Sequence, residues 1–311
     1  MSSKIFTKPW PYLALFIAHF IWGINFVVAK VTLQEIPTYS LAFLRFAFAS
    51  LLIAPFFIAQ TKKIKIKSQD LPKLILVGIL MVTFNIAFFF AGIQKTTAID
   101  ASVLTLIIPM LSVLFGWWFL KEHVYPINLV GIGLGLLGAV VIIGLPQIII
   151  GNYSPSKLIG NLLIILASIS WVAGGTISRK LLKTYSSLEV TGIIFLVGVA
   201  TFFIPAASEL VKDPSWPSRI STLGFLGLLY MTLLSSISAY FLFEWGLSRT
   251  SIIAADLFQY LEPFVASTFA VLILSEVISI SFLTGAVLII IGVFLGTFAK
   301  EAHHRLRHHR H

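Results

Sequence analysis

Long apolar stretches separated by short polar connections run through almost the whole chain. A helix that crosses a bilayer needs about 20 mostly apolar residues, and each of ten stretches is long enough. They are residues 10–32, 38–60, 73–94, 98–119, 126–145, 159–181, 188–208, 221–247, 252–274 and 279–298. The pattern therefore predicts an all-α integral membrane protein with ten transmembrane helices. The first stretch is too long and too polar to be a cleaved signal peptide.

The pattern of the first half recurs in the second half. Trp22 in the stretch WGINFVVAK recurs as Trp171 in WVAGGTISR, 149 positions later. A second run recurs at an offset of 154, with the register pairs Lys95/Arg249, Thr96/Thr250, Ala101/Ala255, Pro109/Pro263 and Glu122/Glu276. Each copy holds five apolar segments, an odd number, so the second copy is expected to be inverted in the membrane. Inverted repeats are typical of secondary transporters, whose substrate site lies at the repeat interface.

Composition agrees with a lipid environment. The chain is 58% hydrophobic and 11% charged, whereas a soluble domain carries about 25% charged residues. Cysteine is absent, which excludes disulfides, thiol catalysis and cysteine metal sites. We expect two five-helix domains, residues 1–145 and 159–298, joined by a linker at 146–158 and followed by a basic tail at 299–311.

The positive charges predict the orientation, because lysine and arginine accumulate on the cytoplasmic side. With the N-terminus inside, the cytoplasmic ends and loops hold 15 cations and the outer loops hold 5. The outer cations are Lys30, Lys95, Lys157, Lys212 and Arg219. Both termini are therefore predicted to be cytoplasmic. The net charge of +10 follows mostly from this bias, so it does not indicate a nucleic-acid partner.

Motifs in both halves resemble those of the EamA family within the drug/metabolite transporter superfamily. The residues that carry the resemblance are Trp22-Gly23 with Asn25, Arg45, Pro109 with Glu122, and Glu262-Pro263 with Glu276. The likeness covers nearly all of residues 10–298 and implies two EamA repeats, with a substrate cavity on a pseudo-two-fold axis. Family members mostly export amino acids or other small metabolites, and some import or exchange them. Val172 and Gly174 depart from the motif in the second copy. The expected location is the cytoplasmic membrane of a bacterium or archaeon.

Polar and aromatic side chains lie at membrane depth in several of the predicted helices. A charge at that depth costs between roughly 2.5 and more than 10 kcal/mol, so such residues face an interior or an aqueous cavity. We expect ten of them, from both halves, to bind the substrate. The candidates are His19, Trp22, Asn25, Arg45, Asn85, Trp171, Tyr240, Gln259, Tyr260 and Glu262.

The uncharged candidates each allow a second interpretation. Trp22 and Trp171 lie too deep for an interfacial aromatic belt, so they either pack in the bundle or form cavity walls. Asn25 and Asn85 either contact substrate or hydrogen-bond neighbouring helices, where such bonds average about 0.6 kcal/mol. His19 is either an interior packing residue or a proton relay.

The charged candidates are harder to explain by packing alone. Arg45 and Glu262 come from different halves at similar depth, so we expect them to pair or to share one polar cavity. Arg45 is then placed to meet a carboxylate, and Glu262 an amine or a proton. Glu244 is either a solvated charge near a helix end or a buried group. Glu122 and Glu276 are interpreted as structural residues at helix ends near a gate.

Proline and glycine predict special helix geometry. Pro109 and Pro263 each remove a backbone donor, so each should kink its helix at mid-membrane. The Gly131-x-x-x-Gly135 spacing favours close helix packing, either inside the bundle or at a dimer seam. A monomer and a homodimer therefore both remain open.

The sequence as a whole predicts a secondary transporter that works by alternating access. Its substrate is expected to be a small metabolite, with amino acids the leading class and export the expected direction. Proton coupling, exchange and facilitated diffusion are all compatible. No P-loop, metal motif or cofactor motif is found, and the HExxH and GxSxG patterns of enzymes are absent. The alternatives are a membrane binding or scaffold protein without transport, and a facilitator or exchanger of another metabolite or drug.

Overall fold

The computed structural model describes residues 9–61, 66–120, 126–143, 154–250, 255, 258–292 and 295. Glu122, most of the predicted linker 146–158 and the predicted tail 299–311 lie outside this part of the chain. Within the described ranges the regular structure is helical throughout, without a β-strand. The all-α class is therefore confirmed.

Helices of the first half follow the predicted apolar stretches closely. They are α1 Trp10–Thr32, α2 Thr38–Thr61, α3 Leu71–Gly78, α4 Asn85–Ile93, α5 Ala98–Leu104, α6 Ile108–Leu120 and α7 Pro126–Ile143. A π-helical stretch, Ile79–Phe84, joins α3 to α4, and a 3-10 turn, Thr105–Ile107, joins α5 to α6.

Helices of the second half repeat this order. They are α8 Pro155–Leu181, α9 Ser187–Lys212, α10 Thr222–Tyr230, α11 Ala239–Arg249, α12 Leu261–Leu274 and α13 Ile280–Gly292. A π-helical stretch, Met231–Ser238, joins α10 to α11, and 3-10 turns occupy Trp216–Arg219 and Phe258–Tyr260.

Short polar residues begin several of these helices. The Ser186 hydroxyl accepts from the backbone N–H of Glu189, and the Glu189 carboxylate accepts from the backbone N–H of Ser186. This reciprocal arrangement is a capping box, which satisfies donors that the first turn leaves without partners. Thr97, Ser154 and Ser221 cap α5, α8 and α10 through their hydroxyls.

Seven continuous helical segments are long and apolar enough to cross a membrane. They are Trp10–Thr32, Thr38–Phe56, Leu71–Ile93, Ala98–Phe119, Pro155–Leu181, Ser187–Lys212 and Thr222–Arg249. Three shorter apolar helices are Leu129–Ile142, Phe258–Leu274 and Ile280–Gly292. The chain is thus an integral membrane protein, while crossing by the three shorter helices stays a prediction.

Irregular backbone recurs at matching places in the two halves. The 3-10 turn at Thr105–Ile107 precedes Pro109, and the 3-10 turn at Phe258–Tyr260 precedes Pro263, 154 positions after Pro109. Each proline lacks the backbone N–H that would donate to the carbonyl oxygen four residues earlier in an α-helix. This missing hydrogen bond is a local reason for the 3-10 turn before each proline. The kink that is expected at each of these two prolines stays a prediction. A further proline pair, Pro55 in α2 and Pro205 in α9, lies 150 positions apart.

Helix packing crosses between the halves. The first helix, α1, packs against α11 and α12, and α8 packs correspondingly against α4 and α6. The longest shared face joins α2 to α9. Glycines let α7 approach α13: a Cβ at Gly138 would lie 2.6 Å from the carbonyl oxygen of Gly285, and one at Gly292 would lie 2.5 Å from that of Gly131. These glycines therefore serve packing inside the bundle.

Candidate functional site

A central cavity of about 90 Å³ lies between helices of both halves. Eight of the ten candidate side chains line it: Trp22, Asn25, Arg45, Asn85, Trp171, Tyr240, Gln259 and Glu262. Pockets that hold ligands usually measure about 300 to 1,000 Å³, so this cavity is smaller than most of them. The structure thus brings most of the candidates together, and their contact with a substrate stays a prediction.

The other two candidates lie elsewhere. His19 is buried behind the cavity wall, where its Nδ1 is 2.7 Å from Glu262 Oε1. Tyr260 lines a different, largely apolar cavity of about 1050 Å³, together with Phe264 and Leu272. Among the described residues that line this second cavity none is charged, so they offer no charge to orient a polar metabolite.

Four aromatic side chains meet beside the central cavity and are called the aromatic cluster: Trp22, Trp171, Tyr240 and Phe243. The Trp22 ring centroid lies 5.3 Å from Trp171, 5.6 Å from Tyr240 and 5.4 Å from Phe243. The first two contacts are edge-to-face, an arrangement aromatic rings favour. Trp22 Nε1 also donates to the backbone oxygen of Ser235 at 3.1 Å. The two tryptophans predicted from the repeat are therefore in direct contact, whereas Phe243 was not predicted.

Arg45 is a buried cation at the cavity wall, with 1% of its surface exposed. Its Nε donates to Ser236 Oγ at 2.9 Å and its Nη2 to Ser235 Oγ at 3.3 Å. Its Nη1 has no hydrogen-bond partner among the described residues. The guanidinium carbon lies 4.9 Å from the ring centroid of Phe46, a cation–π contact. Phe46 in turn packs against Phe195 of the second half at 5.3 Å.

The two serines that hold Arg45 come from the π-helical stretch Met231–Ser238. Short π-helical insertions occur frequently at functional sites. Sequence reasoning missed Ser235 and Ser236, because a serine in a membrane helix usually bonds its own backbone and so carries no signal.

Glu262 is held by a pair of side chains, and Arg45 is not one of them. His19 contacts Glu262 Oε1, and Gln259 Nε2 donates to Glu262 Oε2. Of the two arrangements expected for Arg45 and Glu262, a direct pair or a shared polar cavity, the second occurs here. Gln259 Nε2 also donates to Thr105 Oγ1 at 3.2 Å, and these two residues are 154 positions apart. Sequence reasoning missed Thr105, although its offset of 154 from Gln259 could have pointed to it.

The two asparagines differ in their partners. Asn85 Nδ2 donates to the backbone oxygen of Ala167 at 2.9 Å, which ties α4 to α8. Asn25 Oδ1 is buried without a hydrogen-bond partner among the described residues. Asn85 therefore has a structural role beside any functional one, while Asn25 offers a vacant acceptor at the cavity wall.

A polar network joins several helix ends on the predicted outer side. Glu276 Oε1 lies 3.1 Å from Lys30 Nζ and accepts from Ala98 N at 2.9 Å, while Oε2 accepts from Ile99 N at 3.0 Å. Glu276 therefore caps α5 from a distant part of the chain. The preceding residue, Ser275, has φ 53°, a left-handed conformation that ends α12 and turns the chain.

The same side carries two more links. Lys30 Nζ donates to the backbone oxygen of Thr96 at 2.6 Å, and the Thr96 hydroxyl donates to Asn161 at the start of α8. Lys157 Nζ lies 2.6 Å from Asp100 Oδ2. These contacts join α1, α5 and α8 at the predicted outer end of the bundle.

A helical membrane protein with a charged cavity between two halves is the architecture of a carrier, and the sequence comparisons agree. The pattern of the EamA-like transporter family matches residues 9–144 and again residues 158–298. The chain belongs to the EamA-like transporter family. It is a transporter rather than an enzyme.

Relatives occur in archaea and bacteria. An uncharacterized transporter of Archaeoglobus fulgidus is 27% identical over 290 residues, which is 93% of this chain and 98% of the relative. A probable amino-acid metabolite efflux pump of Escherichia coli is 27% identical over 291 residues, which is 89% of this chain and 91% of the relative. One crystal structure is similar with a TM-score of 0.64 and 19% identity, covering 94% of this chain and 99% of that chain. That likeness concerns the fold alone.

Proposed function

We propose that this protein moves a small metabolite carrying a carboxylate across the cytoplasmic membrane by alternating access. An amino acid or a related compound is the leading class, and export is the proposed direction. The observation that carries the proposal is Arg45, a buried cation with a vacant donor and no bonded anion in the described part of the chain. An isolated charge of this kind is costly, so a ligand that supplies the anion is a physical reason for its presence.

The other cavity groups suit the remainder of such a ligand. Glu262 lies in the same cavity and carries its own partner, His19, so a substrate amine or a proton is proposed to exchange with this pair. The aromatic cluster supplies an apolar wall beside these polar groups. We do not propose a role for Tyr260 in polar recognition, since it lines the apolar cavity.

Contacts at the predicted outer end support an inverted arrangement of the two halves. Lys30, near the end of α1, is linked through Thr96 to Asn161, near the start of α8. Trp22 and Trp171 meet near the middle of the same two helices. Opposite directions of the equivalent helices α1 and α8 would account for both contacts, and on this ground we propose inverted repeats over 1–145 and 159–298. We propose that all ten apolar segments cross the membrane, with both termini cytoplasmic.

A thermal-shift screen of the purified protein against amino acids and related carboxylates tests the proposal. A ligand at 100 times its Kd stabilises the folded protein by about 2.7 kcal/mol, which raises the melting temperature. Each hit is then tested for uptake or exchange in liposomes. A chain that binds a ligand but never transports it is a binding protein, and that outcome would sink the proposed function.

The variant Arg45→Met tests the carboxylate site. Methionine is apolar and unbranched, so it removes a buried charge without adding a polar group. Loss of a buried charge partner costs about 2 to 5 kcal/mol in binding, or roughly 30-fold or more in Kd. The control is Arg219→Met, which removes an exposed arginine paired with Asp213. Wild-type affinity in Arg45→Met would make Arg45 purely structural. If that variant fails to fold, Arg45→Lys is used, which keeps the charge but loses the planar fork.

A further inference from the structure

Glu244 is a buried carboxyl group that the proposed substrate site does not use. It lies in α11 with 0% of its surface exposed, so it is not a solvated charge at the helix end. Both of its oxygens lie against one hydroxyl group, Ser178 Oγ of α8, at 3.1 and 2.9 Å. No cation is ion-paired with Glu244 in the described ranges.

Titratable and charged groups on the neighbouring elements have other partners or lie near helix ends. The helix α11 packs against α1, α9 and the π-helical stretch Met231–Ser238, which contains no titratable side chain. On α1, His19 binds Glu262, and on α9, Glu189 binds Ser186. Arg179 and Lys180 follow Ser178 on α8. On α11 itself, Tyr240 donates to the backbone oxygen of Met81 and Arg249 donates to that of Trp245.

One hydroxyl group cannot satisfy a buried carboxylate. The serine supplies a single O–H donor, whereas an ionised carboxylate has two oxygens with about four acceptor sites. Burying such an ion without a cation costs several kcal/mol. A neutral carboxyl fits the same geometry, because its O–H donates to Ser178 Oγ while its carbonyl oxygen accepts from the serine O–H.

The position of Glu244 separates it from the central cavity. It does not line that cavity, and the adjacent Phe243 belongs to the aromatic cluster. It lies five residues before the end of α11 at Arg249, about 8 Å along the helix axis. The same end of α11 borders a cavity of about 570 Å³ lined by Trp245 and Ser248. This cavity lies at the predicted cytoplasmic end of α11.

We propose that Glu244 and Ser178 form a proton-binding site on the predicted cytoplasmic side of the aromatic cluster, separate from the substrate cavity. In the conformation described here Glu244 holds the proton as a neutral carboxyl. When the cytoplasmic end opens, water reaches the group, its O–H bond breaks, and the proton passes to water to leave a hydrated carboxylate.

Infrared spectroscopy of the purified full-length protein in detergent tests this site without a substrate or a transport assay. The failure of this inference is therefore distinguishable from failure of the proposed function. The carbonyl stretch of a protonated carboxyl is recorded as pH is raised from acidic to alkaline, for wild type and Glu244→Gln. The matched control is Glu35→Gln, since Glu35 is a carboxylate at a helix end that accepts from Ser221. A second comparison, Glu262→Gln, separates any contribution of the other buried carboxyl.

We expect a protonated carboxyl band at neutral pH that is lost in Glu244→Gln and retained in Glu35→Gln. A band that is unchanged in Glu244→Gln at every pH would overturn the proposal. If Glu244→Gln yields no folded protein, the infrared band is instead compared between wild type and Ser178→Ala. Removal of the hydroxyl must then shift the frequency of the wild-type band, and an unshifted band would equally refute the site.

Discussion

The Glu276–Lys30 contact is expected to hold the predicted outer end of the bundle closed. Glu276 joins α12, α1 and the start of α5 through three hydrogen bonds, from Lys30, Ala98 and Ile99. The substitution Glu276→Gln keeps the shape of the side chain but removes its charge. It also replaces one acceptor oxygen with an amide that cannot accept a bond from a backbone N–H.

The bond geometry gives the size of the effect. A hydrogen bond to a charged group contributes about 1.5–3 kcal/mol and a neutral one about 0.5–1.5 kcal/mol. Glu276→Gln weakens two bonds and loses the third, at Oε2. Lys30 is 23% exposed, so water compensates for part of the loss. We expect a net cost of about 2 to 3 kcal/mol for the closed state, which is roughly 30- to 150-fold in the open-to-closed ratio.

Thiol labelling measures this ratio directly, because the chain contains no cysteine. Ser168 lines the central cavity, so Ser168→Cys places one thiol there with little change in size. A membrane-impermeant thiol reagent added outside intact cells should label Ser168→Cys faster, by tenfold or more, when Glu276→Gln is also present.

Glu209→Gln is the matched control for this experiment. Glu209 also accepts three bonds, from Tyr39 N, Ser40 N and Ser40 Oγ, but it joins α2 to α9, which pack along their length. Its loss should leave labelling unchanged. Labelling rates that differ by less than twofold between wild type and Glu276→Gln would refute a closing role for the contact.

Three further variants test other parts of the molecule. Gly138→Ala should lower the melting temperature, because its methyl group would lie 2.6 Å from a backbone oxygen of α13, whereas Gly133→Ala meets nothing within 4 Å and should not. A hydrogen bond from Tyr185 lowers the pKa of Asp70, so Tyr185→Phe should reduce stability above about pH 3.9. The difference in melting temperature should shrink as pH falls through the lowered pKa, leaving the part due to the bond that the Tyr185 hydroxyl accepts from Lys67 N; a difference that does not depend on pH contradicts this account. Glu262→Gln should preserve folding and membrane insertion but reduce transport in liposomes or remove its pH dependence, and a wild-type rate and pH profile would make Glu262 structural.

The sequence predicts well where the helices lie and which polar and aromatic side chains line the central cavity. Apolar stretches of bilayer length have few alternatives to helices, since the bilayer core offers no other partners for backbone polar groups. The same constraint drives polar side chains such as Arg45 and Asn85 toward the interior. Eight of the ten candidates consequently share one cavity.

The sequence was less informative about which cavity a side chain faces and which residues it contacts. Gln259 and Tyr260 are adjacent in a 3-10 turn and face different cavities, a difference that depth along the helix does not reveal. Glu262 has His19 as its partner because α12 packs against α1, which is a property of the tertiary packing. The π-helical stretch that presents Ser235 has no sequence signature of its own.

The environment of Arg45 has a consequence for how such a protein is encoded. Pro55 and Pro205 are 150 positions apart, and the same offset from Arg45 leads to Phe195. The Phe195 ring packs against Phe46, whose own ring lies beside the Arg45 guanidinium. A dimer of identical five-helix chains would place a second arginine where this chain has phenylalanine. Two like charges would then be buried in the same low-dielectric interior and would repel each other. Joining both halves in one gene lets a single cation serve one cavity, which identical subunits cannot arrange.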